Sequence, residues 1–314
     1  MVDSKQQWKA WLYLSPAIIL LLIFTVWPII NTVRMAFLVD YSSLSAVGGH
    51  KFNFGIGNFT YVLTYKDFPQ RLKITLLLCV LTVPISTLLA LLIAVCLNSI
   101  KPLNRLLQTI FFLPYVTNSI AIGMVFASMF NIVGSSLGTT SEIINSPGLI
   151  NYFLSLFGIK PIIWINTGST EVANIAVMVI YIVWNALPFK ILILLGGLQS
   201  VNKQYYDAAK VDGTSRSRVF WRITVPLLSP MIAYVVITGF IGGFKEYTSV
   251  VGIFGNNLGP GDDHYRMNTM VGYIYEKIQD AADGYASAAS LILFGIILIV
   301  TLINLYVSKK KVHY

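Results

Sequence analysis

Two ionisable residues, Lys245 and Glu246, stand side by side in a stretch that is otherwise mostly apolar, residues 231–254. A charged side chain near the centre of a bilayer costs at least about 2.5–3.5 kcal/mol on insertion scales, so it usually faces a polar cavity or a neighbouring subunit. Neighbours along a helix point in different directions, so the two charges are not expected to neutralise each other. They could bind a polar solute or relay a proton or ion. The alternative is that they reach the outer interface or form a structural pair with another helix.

Other polar and aromatic side chains could line the same path. Tyr247 and Thr248 follow the charged pair, while Trp184 and Asn185 lie in the preceding apolar stretch, residues 172–198. Trp and Tyr also occupy the interfacial belts of membrane proteins in general, so Trp184 is read equally well as a belt residue. Asn185 is read equally well as the mark of a helix kink.

Composition indicates the elements that must hold these residues. The chain has 314 residues, of which 56% are hydrophobic and 11% charged, against about 25% charged in ordinary soluble domains. Such a chain belongs in a bilayer, where a spanning helix needs about 20 apolar residues. We therefore predict an all-α protein of the cell membrane with six transmembrane helices, at residues 11–37, 74–97, 108–131, 172–198, 231–254 and 286–307.

The distribution of charge predicts the orientation of these helices. Lys and Arg concentrate at one set of helix ends, and most of the Asp and Glu lie at the other. By the positive-inside rule, both termini and the loop at residues 199–230 are cytoplasmic, and the net charge of +9 needs no nucleic acid to explain it. Lys190, near the cytoplasmic end of its helix, is expected to extend its ammonium to the interface.

We expect three regions along the chain. Residues 1–73 form an N-terminal helix with an outer loop, residues 74–307 form the transmembrane core, and residues 308–314 form a basic cytoplasmic tail. The outer loop at residues 134–171 contains a segment, residues 148–154, that can form a short interfacial helix.

The cytoplasmic loop has the pattern of two helices separated by a glycine. Residues 199–212 have a helical composition, and Gly213 can end that helix because glycine tolerates the left-handed conformation. Thr214 or Ser215 can then cap a second helix. The small side chains in the first helix would let it lie in a groove of a protein partner, and a basic loop resting on anionic lipid is the equal alternative.

The loop resembles the EAA loop of the permease subunits of binding-protein-dependent sugar ABC importers, the maltose-type carbohydrate uptake family. The resemblance runs through nearly the whole chain. Asp207 stands where the family usually has Glu, and residues 132–147 look like an insertion. The matching positions in and around the loop are Asp207-Ala208-Ala209, Asp212-Gly213, Phe220, Ile223, Val225-Pro226, Phe112-Leu113-Pro114, Leu187-Pro188-Phe189 and Gly284-Tyr285-Ala286.

The resemblance implies a type I ABC importer permease fold and a division of labour between chains. A coupling helix would dock into a cytosolic ATPase, which would bind ATP and Mg, so no cofactor is expected in this chain. The implied partners are a second related permease, two ATPase copies and an extracytoplasmic substrate-binding protein. Sugars suit the pathway residues, since aromatic rings cover their C–H faces and Asn or Glu bonds their hydroxyls. The residues that would couple to the ATPase are Tyr206, Asp207, Ala208, Ala209, Asp212 and Gly213.

Missing motifs narrow the choice among function classes. The chain has no glycine-rich loop ending in Lys-Ser or Lys-Thr to hold nucleotide phosphates, no plausible catalytic set, and only dispersed histidines, so we predict neither catalysis nor a metal site. Two alternatives stay open. The same family could import glycerol phosphate or an anionic oligosaccharide, or the chain could be an ion-coupled secondary transporter in which Lys245 and Glu246 act as the relay.

Overall fold

The computed structural model describes residues 7–100, 104–132, 148–261 and 263–311. Within these ranges the chain is helical, and the only β-pairing is an isolated bridge between Leu38 and Phe54. The α-helices in chain order are α1 (Gln7–Leu21), α2 (Trp27–Ala36), α3 (Ser43–Val47), α4 (Gly57–Thr64), α5 (Phe68–Ser99), α6 (Asn104–Val116), α7 (Ser119–Phe130), α8 (Gly148–Ser155), α9 (Glu171–Ser200), α10 (Lys203–Val211), α11 (Arg216–Val219), α12 (Val225–Leu227), α13 (Ser229–Phe244), α14 (Thr248–Phe254), α15 (Met270–Gln279) and α16 (Asp283–Lys311).

Among the described residues, four helical segments are long and apolar enough to cross a membrane: Trp8–Ala36, Phe68–Ser99, Glu171–Ser200 and Asp283–Lys310. Two further segments are bent pairs. One joins α6 to α7 at 98°, and the other joins the helix that ends at Leu227 to α13 at 68°. The described residues therefore contain four candidate spans, or up to six if each bent pair is counted as one. The all-helical prediction is confirmed, and the exact number of spans stays a prediction.

Local side-chain and proline chemistry accounts for the two bends. At the first bend, the side chain of Asn118 accepts hydrogen bonds from the N–H groups of Ile120 and Ala121. It therefore caps the start of α7, after α6 has ended at Val116. At the second, Pro226 and Pro230 lie on either side of the bend. Each lacks the N–H that a continuous helix would use.

The predicted continuous helix at residues 231–254 is wrong, because the chain leaves the helix between α13 and α14. The N–H groups of Lys245 and Glu246 bond to the carbonyls of Gly242 and Gly243, which closes the last turn of α13. Glu246 then accepts a hydrogen bond from the N–H of Ser249 over 3.1 Å, which caps the first turn of α14. The two charged residues thus lie in a break between helices rather than on one helix face.

The chain divides into two compact units. Among the described residues, one contains Gln7–Phe68 together with Tyr273–Gly295, and the other contains those of Pro69–Gly272 together with Ile296–Lys311. In the first unit, buried Asn58 accepts from the N–H of Asp40 over 3.0 Å and donates to the carbonyl of Leu38 over 2.7 Å. This one side chain therefore organises the loop that follows α2.

In the second unit, two apolar clusters are separated along α5 and α9. The first contains Leu78 of α5 and Tyr181 of α9, and the second contains Ala90 and Leu194 from the same helices. Between the clusters α5 carries hydroxyl side chains and α9 carries amide and ammonium side chains. These side chains form a polar band that lies between the two apolar clusters.

Close packing of α7 against α14 supports the segment that follows the break after α13. A Cβ atom placed on Gly123 of α7 would lie 2.7 Å from the Cα atom of Gly252 in α14, so both positions need glycine. Small residues let membrane helices approach in this way. The contact fixes α14, and with it the end of the break that carries Glu246.

Candidate functional site

A cavity of about 350 Å³ lies in the second unit at the level of the polar band. Its walls come from α5, the end of α6, α9 and α13, and from the break after α13. Gly239 and Gly242 of α13 form part of the wall, so backbone lies close to the open space. The cavity combines polar groups with aromatic rings, which is the character of a ligand site.

Two of the predicted pathway residues meet on this cavity. Glu246 lines it from the break and Asn185 lines it from α9. One carboxylate oxygen of Glu246 is held by the N–H of Ser249, while its backbone carbonyl accepts from the hydroxyl of Thr269 over 2.7 Å. The amide of Asn185 donates to the hydroxyl of Ser119 over 3.3 Å. Both side chains are therefore oriented by neighbours while they face the open space.

The other four predicted pathway residues lie elsewhere. Trp184 packs against the first apolar cluster, with its ring 5.1 Å from that of Phe126, and Tyr247 packs against the same cluster. Lys245 and Thr248 are exposed. None of the four belongs to the cavity wall. An aromatic wall does exist, but it comes from Tyr115 and Phe189, whose rings are stacked 5.9 Å apart.

Lys190 is a cavity residue that the sequence argument missed. The expectation that it reaches the interface is wrong, because it is only 5% exposed. Its ammonium donates to Ser86 Oγ over 2.7 Å, to Thr87 Oγ1 over 2.9 Å and to the carbonyl of Val83 over 3.3 Å. An ammonium has three donors, so each has an acceptor on α5. The signal available in the sequence was the run of hydroxyl residues in the middle of α5, beginning at Thr82.

The acceptors around Lys190 lead to a charge-reversal prediction. The hydroxyls of Ser86 and Thr87 already donate to the carbonyls of Thr82 and Val83. A carboxylate in Lys190→Glu would face these oxygens without a donor, and an unpaired buried charge costs several kcal/mol. We expect Lys190→Glu to lower the melting temperature of the purified protein by about 5 °C or more. Lys190→Met, which removes the charge and roughly keeps the length, should stay close to the parent. Equal melting temperatures for both variants would contradict the assigned hydrogen bonds.

The candidate coupling helix is α10. It begins at Lys203, not at residue 199 as predicted, because α9 ends at Ser200. Asn202 then caps α10 by accepting a hydrogen bond from the N–H of Gln204 over 3.0 Å. The predicted stop is confirmed, since Gly213 has a φ of +64° and the N–H of Thr214 returns to the carbonyl of Ala209 over 2.9 Å. Ser215 stands at the start of α11, but its hydroxyl makes no capping bond.

The predicted coupling residues divide between two faces of the loop. Ala209 is buried, and the hydroxyl of Tyr206 lies 3.4 Å from Thr224 Oγ1, so these residues hold α10 against the segment that follows α11. Asp207 and Ala208 are exposed, as are Asp212 and Gly213. Asp207 pairs with Lys210 over 3.0 Å, but exposed pairs of this kind contribute little to stability. One face of α10 is thus built for packing, while the other is left open.

Across the described ranges, no group of three or more His, Cys, Asp and Glu side chains could hold a metal ion. The cavity wall offers hydrogen-bonding groups, aromatic faces, one carboxylate and one ammonium. The prediction that no cofactor is bound by this chain stays a prediction.

The sequence is similar to one large family and to named members of it. Residues 75–313 match the model of the binding-protein-dependent transport system inner membrane component. The arabinooligosaccharides transport system permease protein AraP of Bacillus subtilis is 30% identical, with 95% of this chain and 88% of that protein covered. The lactose transport system permease protein LacF of Rhizobium radiobacter is 25% identical, with 96% and 95% covered.

A solved structure shares the fold. The crystal structure of the bacterial alginate ABC transporter, in complex with an alginate pentasaccharide-bound periplasmic protein, contains a chain that superposes with a TM-score of 0.76. The match covers 98% of this chain and 96% of that one at 23% sequence identity. At that identity the likeness supports the fold alone.

Proposed function

Because the chain belongs to the family of inner membrane components of binding-protein-dependent transport systems, we propose that it is the permease subunit of an ATP-driven importer of a sugar or oligosaccharide. It is a multi-pass membrane protein. The observation that carries the proposal is the cavity in the polar band, where a carboxylate and an amide face a stacked pair of aromatic rings. The relatives named for arabinooligosaccharide and lactose transport support the class of cargo.

The cavity matches the surface chemistry of a sugar. A pyranose has an apolar face of C–H groups that an aromatic ring such as Tyr115 can cover, and hydroxyls around its rim. Glu246 can accept hydrogen bonds from these hydroxyls, and Asn185 can both donate and accept. The volume of about 350 Å³ is at the small end of the range for ligand sites. We infer that one sugar unit at a time occupies this part of the path.

Transport needs a link to an energy source, and α10 is the proposed link. Its open face, with Asp207 and Ala208, would lie in a groove of a cytosolic ATPase that binds ATP and Mg. Closure of two ATPase copies would then be transmitted through α10 to the membrane helices, because docking favours one of the two states over the other. The other face, with Tyr206 and Ala209, keeps α10 fixed to the rest of the loop.

The remaining parts of the assembly follow from this role. A second related permease would complete the path, and an extracytoplasmic binding protein would deliver the sugar. The alginate structure, in which the transporter is in complex with a pentasaccharide-bound periplasmic protein, supports such a partner. We propose six spans with both termini in the cytoplasm. Residues 1–73 would supply the first span and an outer loop, residues 74–307 the permease core, and residues 308–314 a basic tail.

An acidic cargo is the second candidate, and Lys190 is the observation that favours it. Its ammonium lies on the cavity wall and bonds only to neutral oxygens. An anionic oligosaccharide or glycerol phosphate would supply the missing negative charge. Against it, all three donors of Lys190 already have acceptors, and Glu246 on the same cavity would repel an anion.

Affinity purification tests the proposed assembly. The tagged chain is extracted gently from its native membrane, and co-purifying proteins are identified. We expect a second permease and an ATP-binding subunit. Neutral and acidic oligosaccharides are then compared by binding-protein-stimulated ATP hydrolysis, which separates the two classes of cargo. A chain that purifies alone and transports in vesicles without ATP would overturn the proposal in favour of an ion-coupled transporter.

A further inference from the structure

A folded segment at residues 148–163, here called the cap, has no role in the proposed transport path. It consists of α8, a tight turn at residues 156–158, and a segment without regular secondary structure at residues 159–163. The turn closes with hydrogen bonds from the N–H of Gly158 to Ser155 and from the N–H of Ile159 to Leu154. Gly158 has a φ of +73°, which glycine adopts without strain. The segment therefore doubles back on itself over a short distance.

Asn151 holds the two arms of the cap together. Its side-chain oxygen accepts from the N–H of Ile162 over 3.1 Å and from the indole N–H of Trp164 over 3.0 Å. Its side-chain nitrogen donates to the carbonyl of Ile162 over 3.0 Å. Asn151 itself is buried. The polar groups at the centre of the cap are thus satisfied internally, which a segment in contact with hydrocarbon requires.

The outward surface of the cap is apolar. Phe157 is 81% exposed and Leu156 is 65% exposed. The sequence from 148 to 163 contains no acidic residue, and its single charge is Lys160. Contiguous exposed apolar patches of this kind mark a contact with a membrane or with another protein. The other exposed large apolar residues of the cap are Leu149, Tyr152, Phe153, Ile159, Ile162 and Ile163.

The cap is attached where two membrane helices end. Asn166, just beyond the cap, donates to Asn131 Oδ1 over 2.6 Å and accepts from the N–H of Ile132, both of which follow α7. Trp164 packs edge-on against Phe130 at 5.6 Å. The α9 span begins shortly afterwards at Glu171, and its first turn carries the highly exposed Val172. The cap is therefore joined both to the end of α7 and, through residues 164–170, to the start of the α9 span.

We propose that the cap is an interfacial anchor. It would lie in the membrane interface and bury its apolar surface at the boundary of headgroups and acyl chains. The chemistry fits a phospholipid surface. Aromatic and aliphatic side chains fill one face, Lys160 can pair with a lipid phosphate, and no carboxylate repels the headgroups. Through Asn166 and Trp164 the anchor would fix the end of α7 at the membrane surface. Such an anchor would serve any cargo.

Site-directed spin labelling tests how deeply the cap lies in the lipid bilayer. The label is placed at Phe157→Cys in a Cys96→Ser background, since Cys79 is buried and Cys96 is exposed. The chain is purified with its native partner subunits and reconstituted in phosphatidylcholine and phosphatidylglycerol bilayers. Power saturation then compares the accessibility of the label to oxygen, which dissolves in lipid, and to a water-soluble nickel chelate. We expect a ratio of oxygen to nickel accessibility several-fold higher than at the control position Lys51→Cys, which is charged and exposed.

Two results would overturn the proposal. A label at position 157 that is as open to nickel as the one at position 51 would mean that the cap lies in water. A label shielded from both reagents would mean that a protein partner covers the face. A second label at Leu156→Cys, which is also exposed, guards against a local effect of losing Phe157. Gel filtration and co-purification of the partner subunits verify that each labelled chain is folded and assembled.

Discussion

Replacing Ala208 with tryptophan is expected to separate the permease from its ATPase while leaving the membrane fold intact. Ala208 is exposed on the open face of α10, whereas buried Ala209 and the hydroxyl of Tyr206 hold the helix against the rest of the loop. A large ring on this face would prevent close approach to a groove. We expect retention of the ATPase in co-purification to fall about tenfold or more, equivalent to at least about 1.4 kcal/mol of binding free energy, and uptake to fall with it.

Two further variants make this experiment specific. Ala208→Ser is a matched control, because it keeps the side chain small and exposed, and it should retain the ATPase. Ala209→Trp tests the other face. It should lower the amount of folded chain, because it forces a ring into a buried site. Normal ATPase binding by a folded Ala208→Trp chain would rule out α10 as the docking element.

The long helices were predictable from the sequence, because the length and apolar composition of a segment determine whether it can form a membrane-spanning helix. Apolar runs such as residues 74–97 and 172–198 correspond to the long helices Phe68–Ser99 and Glu171–Ser200. A helix end set by one residue was also predictable, as at Gly213, because few residues other than glycine tolerate a positive φ.

The breaks were harder to predict, because they depend on tertiary contacts. The mostly apolar composition of residues 231–254 favours an unbroken helix, and the glycines and charged residues near Phe244 do not by themselves predict the interruption there. It rests on a carboxylate that caps the next helix and on the close approach of Gly123 to Gly252 from another part of the chain. Long-range packing of this kind overrides local propensity.

The candidate site was predicted only in part, for a similar reason. Glu246 and Asn185 were identified as polar residues in apolar surroundings, and both line the cavity. Trp184 has the same appearance in sequence but packs into an apolar cluster. Lys190 was assigned to the interface because a long side chain at a helix end usually extends there. Its acceptors are about 100 residues away on α5, so only the folded chain reveals them.

The role of Glu246 is the most discriminating test of the transport mechanism. If Glu246 accepts hydrogen bonds from sugar hydroxyls, Glu246→Gln should keep part of the function, because an amide oxygen can still accept. Glu246→Ala removes the acceptor, and a hydrogen bond to a charged group contributes about 1.5–3 kcal/mol. We therefore expect uptake of labelled sugar, driven by ATP and the binding protein, to fall about 10- to 100-fold in Glu246→Ala and clearly less in Glu246→Gln.

The same pair of variants separates sugar binding from ion coupling, because a relay needs a group that gains and loses a proton. Glutamine cannot do so, and both variants would then be equally inactive. Loss of structure is a separate concern, since Glu246 caps α14 through the N–H of Ser249. Glu246→Gln can keep that cap, whereas Glu246→Ala loses it at a cost of about 1 kcal/mol, so the melting temperature of each variant is measured beside its uptake. Full uptake in a folded Glu246→Ala chain would remove this carboxylate from the sugar path altogether.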